Sequence, residues 1–330
     1  MTVIYSETLP TPPQITAKNV MKDAISNNDP VEEKLHVIAV CSNAALFMKR
    51  YTLFNEFMER MKMEADVIMY VVELIYAGQQ FQVTSANNPK HLQLYTDDPL
   101  WHKENMINIG VKHLLPPNWK AMAWIDADLE FESATWASDA LKVLNGAADV
   151  IQLFSHCVDM DKSRRPMSVF NSFCYNVTKG LGYCNNGLSY SHPGYAWAVT
   201  KKAYNKMGGL FDGAIHGSGD HIMALCFIGL GLSSVNEGNH KSYIGAVLEY
   251  QERVRSLRLG YVPGVILHHY HGTKENRRYT DRWKLLIKYQ FDPAVHLSKN
   301  VDGVLIPTYS FPQGLLNELK QYFFDRLEDA

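Results

Sequence analysis

Two periodicities alternate along the first third of the chain. The stretches "KLHVIAVCSN" (34–43) and "ADVIMYVVEL" (65–74) are almost continuously apolar, the pattern of strands buried on both faces. Between them "ALFMKRYTLFNEFMERMK" (45–62) repeats its apolar residues every three or four positions, which predicts an amphipathic helix. "VTSANNPKHLQLYTDDP" (83–99) reads as loop around one short strand. "LWHKENMINIGVKHLL" (100–115) reads as a helix, closed by Pro116 and Pro117. "KAMAWIDADLEF" (120–131) then runs through five apolar residues into Asp126 and Asp128. This order implies a three-layer α/β sandwich around a mixed, mainly parallel sheet. Ligands bind such sheets at the carboxyl ends of the strands, where the two aspartates are expected.

Beyond residue 150 the alternation loosens. "ADVIQLFSHC" (148–157), "GYAWAVT" (194–200) and "GYVPGVILHHYHG" (260–272) read as strands. "KKAYNKMG", "DHIMALCFIGLG", "YTDRWKLLIKY" and "GLLNELKQYFFDRL" read as helices. Residues 1–33, rich in Pro, Thr, Asn and charge, are expected to form an arm or a loose lead-in helix. No repeat or low-complexity linker divides the rest. One catalytic domain over 34–285 is expected, with 286–330 as a helical extension packed on it.

Composition narrows the function. With 46% hydrophobic residues in 330, the chain can bury a large core. A net charge of −2 argues against a general nucleic-acid binder. The five cysteines are odd in number, scattered and without a CxxC pair, so buried reduced thiols are expected. The first residues lack the pattern of a secretion signal, and no apolar run approaches the ~18 residues needed to span a bilayer. A soluble, cytoplasmic protein is expected, and the sequon at Asn176 is read as chance.

Three stretches carry candidate chemistry. Asp126 and Asp128, close together after a buried strand, repel unless a cation lies between them, and carboxylates suit Mn²⁺ or Mg²⁺. In "ILHHYHGTKENRRYTDRW" (266–283) a continued strand would put His269 and His271 on one face and His268 on the other. Two imidazoles two residues apart can share a metal with Asp128. Lys274, Arg277 and Arg278 follow, cations of the kind that clamp a diphosphate. In "HPGYAWAVTKKAYNKMGGLFDGAIHGSGDHIMA" (192–224), Asp220 follows a glycine-rich turn and opens an apolar helix. It can serve as a structural N-cap or as a general base.

"LWHKENMINIG", "AMAWIDADLEF", "PGYAWAVTKKAYNKMGGLFDGAIHGSGDH" and "HHYHG" occur in an order that resembles GT-A glycosyltransferases, the β-1,4-galactosyltransferase group and inverting family 2-type enzymes above all. The resemblance spans residues 35–285. It implies a transferase with Mn²⁺ at the Asp-x-Asp, using a nucleotide-sugar donor, a UDP-sugar for preference, and a glycan or other hydroxyl acceptor. It makes Asp128 a direct metal ligand and places Asp126 near the donor ribose and sugar. Lys103 becomes a basic group facing the donor, Asp220 the catalytic base, and His269 and His271 paired metal ligands. Two features depart from the family. Gly219 stands where an acidic residue usually precedes the base, and the first strand lacks the usual Pro-x-Arg pattern.

The expected reaction is a single displacement at the anomeric carbon. Asp220 takes the acceptor proton, and the metal, Lys274 and Arg277 or Arg278 stabilise the departing nucleoside diphosphate. Tyr195 and Trp197 are candidates for stacking on the acceptor sugar. A retaining transferase would need the metal and clamp but not Asp220 as base. A sugar nucleotidyltransferase would ordinarily carry a glycine-rich loop after the first strand, and "CSNAALFMKR" has no glycine. A sugar-binding module without catalysis would need no diphosphate clamp.

Overall fold

The computed structural model describes residues 14–181, 183, 190–273, 275–278 and 283–330. The first half contains α1 (Lys18–Asn27), β1 (Leu35–Ser42), α2 (Met48–Met63), β2 (Val67–Tyr76), β3 (His91–Thr96), α3 (Lys103–Leu114), β4 (Ala121–Ile125), β5 (Leu129–Phe131) and α4 (Trp136–Leu144). Next come β6 (Val150–Gln152), β7 (His156–Met160), β8 (Pro166–Ser172), α5 (Phe173–Thr178), β9 (Ser191–His192), β10 (Ala196–Thr200), α6 (Lys201–Met207), α7 (Gly219–Phe227) and α8 (Lys241–Val254). The chain closes with β11 (Leu259–Tyr261), β12 (Val265–His268), α9 (Trp283–Lys288), α10 (Pro293–His296), β13 (Leu297–Lys299), β14 (Leu305–Pro307) and α11 (Gln313–Asp325).

The central sheet has the order β11-β6-β10-β4-β1-β2-β3. Only β10 runs against its neighbours. Leu35 to Ala39 are all buried, so both faces of β1 are covered, as the apolar run requires. On α3, Gly110 lets the helix settle onto Ile38 and Val72, whose methyl groups lie 3.2 and 2.9 Å from where a Cβ would be. The α/β expectation with a mixed, mainly parallel sheet is thus met.

Two apolar runs that read as single strands are each divided. "ADVIQLFSHC" gives β6 to the central sheet and β7 to a second one, and "GYVPGVILHHYHG" is split likewise into β11 and β12. Ser155 fastens the switch. Its Oγ donates to Gly264 O (2.8 Å) and accepts from Gly264 N (3.1 Å). The second sheet, in the order β5-β12-β7-β8-β9, stands beside the end of β4.

Among the described residues, 15–32 are integral to the fold. Ile15 bridges Leu259, Met21 is buried, and Glu32 accepts hydrogen bonds from the backbone N of Lys120 (2.6 Å) and Ala121 (3.0 Å). The C-terminal segment holds the β13–β14 hairpin as well as helices. Asn105 of α3 ties the hairpin down, donating to Gly303 O (3.1 Å) and accepting from Leu305 N (3.0 Å).

Candidate active site

A cleft opens where β1 and β4 end, holding about 1370 Å³ of space including its open mouth. Asp126 follows the last residue of β4, and its backbone N donates to Tyr195 O (2.9 Å). Tyr195 itself has φ +80°, a strained conformation for a residue with a Cβ, at the edge of the cleft. Its ring stacks on His192 at 3.8 Å and lies 4.7 Å from His268.

Strand register places the metal-ligand candidates. His268, the last residue of β12, pairs with Leu129 of β5 on one side and Asp159 of β7 on the other. This brings three groups together: Asp128, His268 and His271. Asp128 Oδ2 is 2.8 Å from His271 Nε2 and 3.7 Å from His268 Nε2, and the two imidazole nitrogens are 3.2 Å apart. His269 is not in the cluster, which corrects the expected pairing of His269 with His271. The strand stops at His268, so alternation does not carry on to His271. The backbone N of His269 donates to Asp128 O (2.9 Å), and its ring turns to Glu130 (3.1 Å).

The cluster fits a divalent cation. Asp128 Oδ1 is buried and has no hydrogen-bond partner. Nδ1 of His268 lies 2.6 Å from Asp159 Oδ1, so this carboxylate holds the proton on Nδ1 and leaves Nε2 as a ligand atom. Burial, reinforced by Arg277, pushes His271 down to about 4 against the pull of Asp128. Burial opposes ionisation of Asp128, but His271 and His268 outweigh it and hold this carboxyl well below its usual range.

The proposed donor-side cations separate. Lys103 forms a partly buried ion pair with Asp126. Burial works against its charge, but Asp126, Asp220 and Glu104 together raise its pKa. Arg277 reaches the cluster, its Nη2 2.8 Å from His271 Nε2. Arg278 turns instead to Asp325 of α11, 3.8 Å away, with its side chain half exposed, so the donor-side role expected of it has no support in its placement. Lys274 lies outside the described residues.

Asp220, second residue of α7, lines the same cleft. Its Oδ1 accepts from the backbone N of His221 (2.8 Å), and its Oδ2 sits so close to Gly194 that a Cβ there would collide with it. Tyr195 lines the cleft. Trp197 does not. It is 2% exposed, stacks on Trp124 at 6.3 Å and donates from Nε1 to Pro193 O (2.9 Å), which makes it a core residue.

Several cleft residues escaped the sequence reading. Arg50 of α2 and Arg326 lie on the two sides of Glu328. Arg50 donates to both oxygens of Glu328 (2.9 and 2.5 Å), and Arg326 donates to Oε1 (2.6 Å). Asp329 accepts from the backbone N of Met48 (3.0 Å) and Lys49 (2.6 Å) at the start of α2. Nothing local marks the contacts of α2 with Glu328 and Asp329, because some 280 residues separate the partners. Glu104 is different: it stands beside Lys103 within a stretch that the resemblance had already singled out.

No family model and no curated protein matches the chain. Among solved structures, it is similar to a Drosophila β-1,4-galactosyltransferase 7 mutant in complex with manganese, UDP-Gal and xylobiose (8% identity, TM-score 0.34, 70% of this chain and 65% of that one). It is also similar to the mannosyltransferase PcManGT from Pyrobaculum calidifontis in complex with GDP-Man and Mn²⁺ (12% identity, TM-score 0.44, 92% and 74%). A third is a putative glucose-1-phosphate thymidylyltransferase from Bacillus anthracis in complex with a sucrose (7% identity, TM-score 0.37, 71% and 88%). The chain spans about two thirds of the length of the first.

Proposed function

We propose that this chain is a metal-dependent GT-A glycosyltransferase that moves a sugar from a nucleotide-diphosphate sugar, a UDP-sugar for preference, to a hydroxyl of a glycan or other acceptor. One observation carries the reading: Asp128, His268 and His271 converge on a single point in a cleft that also holds Asp126, Arg277 and Asp220. A Mn²⁺ or Mg²⁺ ion held by the first three would supply positive charge at the diphosphate. Arg277, next to that point, is placed to turn its guanidinium to a phosphate oxygen. Lys103, paired with Asp126, fixes its carboxyl group for a donor hydroxyl. Asp220 removes the acceptor proton, and a single displacement inverts the anomeric carbon. Residues 34–285 form the catalytic unit, and 286–330 complete one wall of its cleft. The four described cysteines are buried, which suits reduced thiols and favours work in the cytoplasm.

The test is a thermal-shift screen of nucleotide sugars with and without Mn²⁺, followed by assay of nucleoside diphosphate release. At least one donor should raise the melting temperature only when the metal is present. EDTA should abolish release, and Mn²⁺ should restore it. Full activity in EDTA would remove the metal site from the mechanism. No donor binding at all would remove the reading itself.

A further inference from the structure

We propose that Glu104 is a specificity-determining residue of this site: its carboxyl group receives a hydroxyl of the acceptor next to the one that Asp220 deprotonates. The inference rests on the reading of the cleft as a sugar transferase site.

Glu104 is the second residue of α3 and is 3% exposed, yet it lines the cleft. Among the described residues no other side chain hydrogen-bonds to it. The nearest cation, Lys103, is committed to Asp126. A buried carboxyl group normally has several hydrogen-bond partners, so one that faces a cleft with only its own backbone N–H beside it is completed by what enters the cleft. Its surroundings say which side of the substrate this is. Burial, with Asp220 and Asp126 adding to it, overrides Lys103 and pushes the Glu104 carboxyl up to about 8. That is no place for a diphosphate, and it suits a neutral group that both donates and accepts.

The backbone is shaped around this carboxyl. A Cβ on Gly219 would lie 2.6 Å from both Cδ and Oε1 of Glu104, so position 219 must be glycine for Glu104 to keep its place. Gly194 does the same for Asp220. Two carboxyl groups, carried by α3 and α7 and each seated against a bare glycine, thus face one cleft. Neighbouring hydroxyls on a sugar ring offer the matching pair of donors. Asp220 takes the proton of one and Glu104 hydrogen-bonds the other.

The experiment uses the full chain, the nucleotide sugar and Mn²⁺ found by the screen, and a panel of methyl glycosides and disaccharides as acceptor probes. Acceptor-stimulated release of nucleoside diphosphate gives the acceptor KM, and calorimetry with the nucleoside diphosphate and Mn²⁺ gives the donor-side Kd. In E104A the acceptor KM should rise roughly 10–100-fold, the loss expected when a buried hydrogen bond to a substrate hydroxyl is removed. The donor-side Kd should stay within about twofold. E104Q, whose amide still pairs with a hydroxyl, should recover most of the acceptor affinity. G219A, with Glu104 intact but displaced, should reproduce the acceptor defect, and it guards against misfolding of E104A. An unchanged acceptor KM in E104A, or a donor-side Kd that weakens as much as the acceptor KM, would overturn the assignment. So would a panel in which no hydroxyl compound stimulates a wild type that does bind donor. Failure of the wild type to bind any nucleotide sugar is a separate result, and it overturns the proposed function together with this inference.

Discussion

His268 is where the chain leaves strand β12, and one further residue of strand would have exchanged the roles of two histidines. The sequence shows three imidazoles within four positions but not where the strand ends. Alternation therefore selects His269 and His271, while the register against Leu129 and Asp159 selects His268. Asp128 and His271 were legible because both follow apolar runs at the cleft. Replacing His268 or His271 by Ala should weaken Mn²⁺ binding at least ~10-fold by calorimetry, on the scale that even indirect supports of a metal site command. His269→Ala should stay within about twofold, and the reverse ranking would restore the simple alternation. Asp220 allows a second separation. It lies in the first turn of an apolar helix and accepts from the backbone N of His221, so it can cap that turn as well as catalyse, and Asp220→Asn keeps hydrogen-bonding capacity while losing basicity. The expected result is a ~10²–10⁴-fold fall in kcat with an almost unchanged melting temperature and donor affinity. A rate within a fewfold of wild type would leave Asp220 only the capping role and favour a retaining mechanism.

Elements positioned by long, uniform apolar runs were readable, and those made by dividing such runs were not. β1, β2, β4, α2 and α3 lie where periodicity puts them. The split of 148–157 and of 260–272 between two sheets has no local sign beyond Pro263 and Gly264, because either half alone is a good strand. Helix α8 was missed although its buried Tyr243, Val247, Tyr250 and Val254 follow helical spacing. The switch has a mechanical role: Ser155 pins Gly264, and β12 beyond it carries His268. Ser155→Ala removes both hydrogen bonds at a buried position. It should cost about 1–3 kcal/mol in denaturant unfolding. Mn²⁺ affinity should fall with it, through His268. A loss of stability without a change in metal affinity would show that the second sheet holds its register unaided.

One wall of the cleft is closed by contacts between α2 and residues 328–329, which no reading of neighbours along the chain could supply. Glu328 is 2% exposed. Burial disfavours its charge, but Arg50 and Arg326 more than compensate, and its carboxyl is held far below the usual range. A depressed carboxyl contributes stability above its unfolded pKa of about 4.3 and loses it as pH falls toward the folded value. Glu328→Gln should therefore cost about 3 kcal/mol near neutral pH, as expected when one partner of a buried ion pair is removed. The gap from wild type in denaturant titrations should narrow steadily below pH 4.3. A gap independent of pH would mean that Glu328 stabilises by packing alone. The same closure orders events during synthesis. As the chain leaves the ribosome, α2 and the parallel strands β1 to β4 can associate early, because their partners are already outside. Arg50 and the start of α2 must wait for Glu328 and Asp329, some 280 residues later. Until those two carboxylates emerge, the nascent cleft has an open wall, and Arg50 lacks the carboxylate it holds in the finished fold. During that interval the Arg50 guanidinium can take up other anions, which Glu328 displaces once it is made.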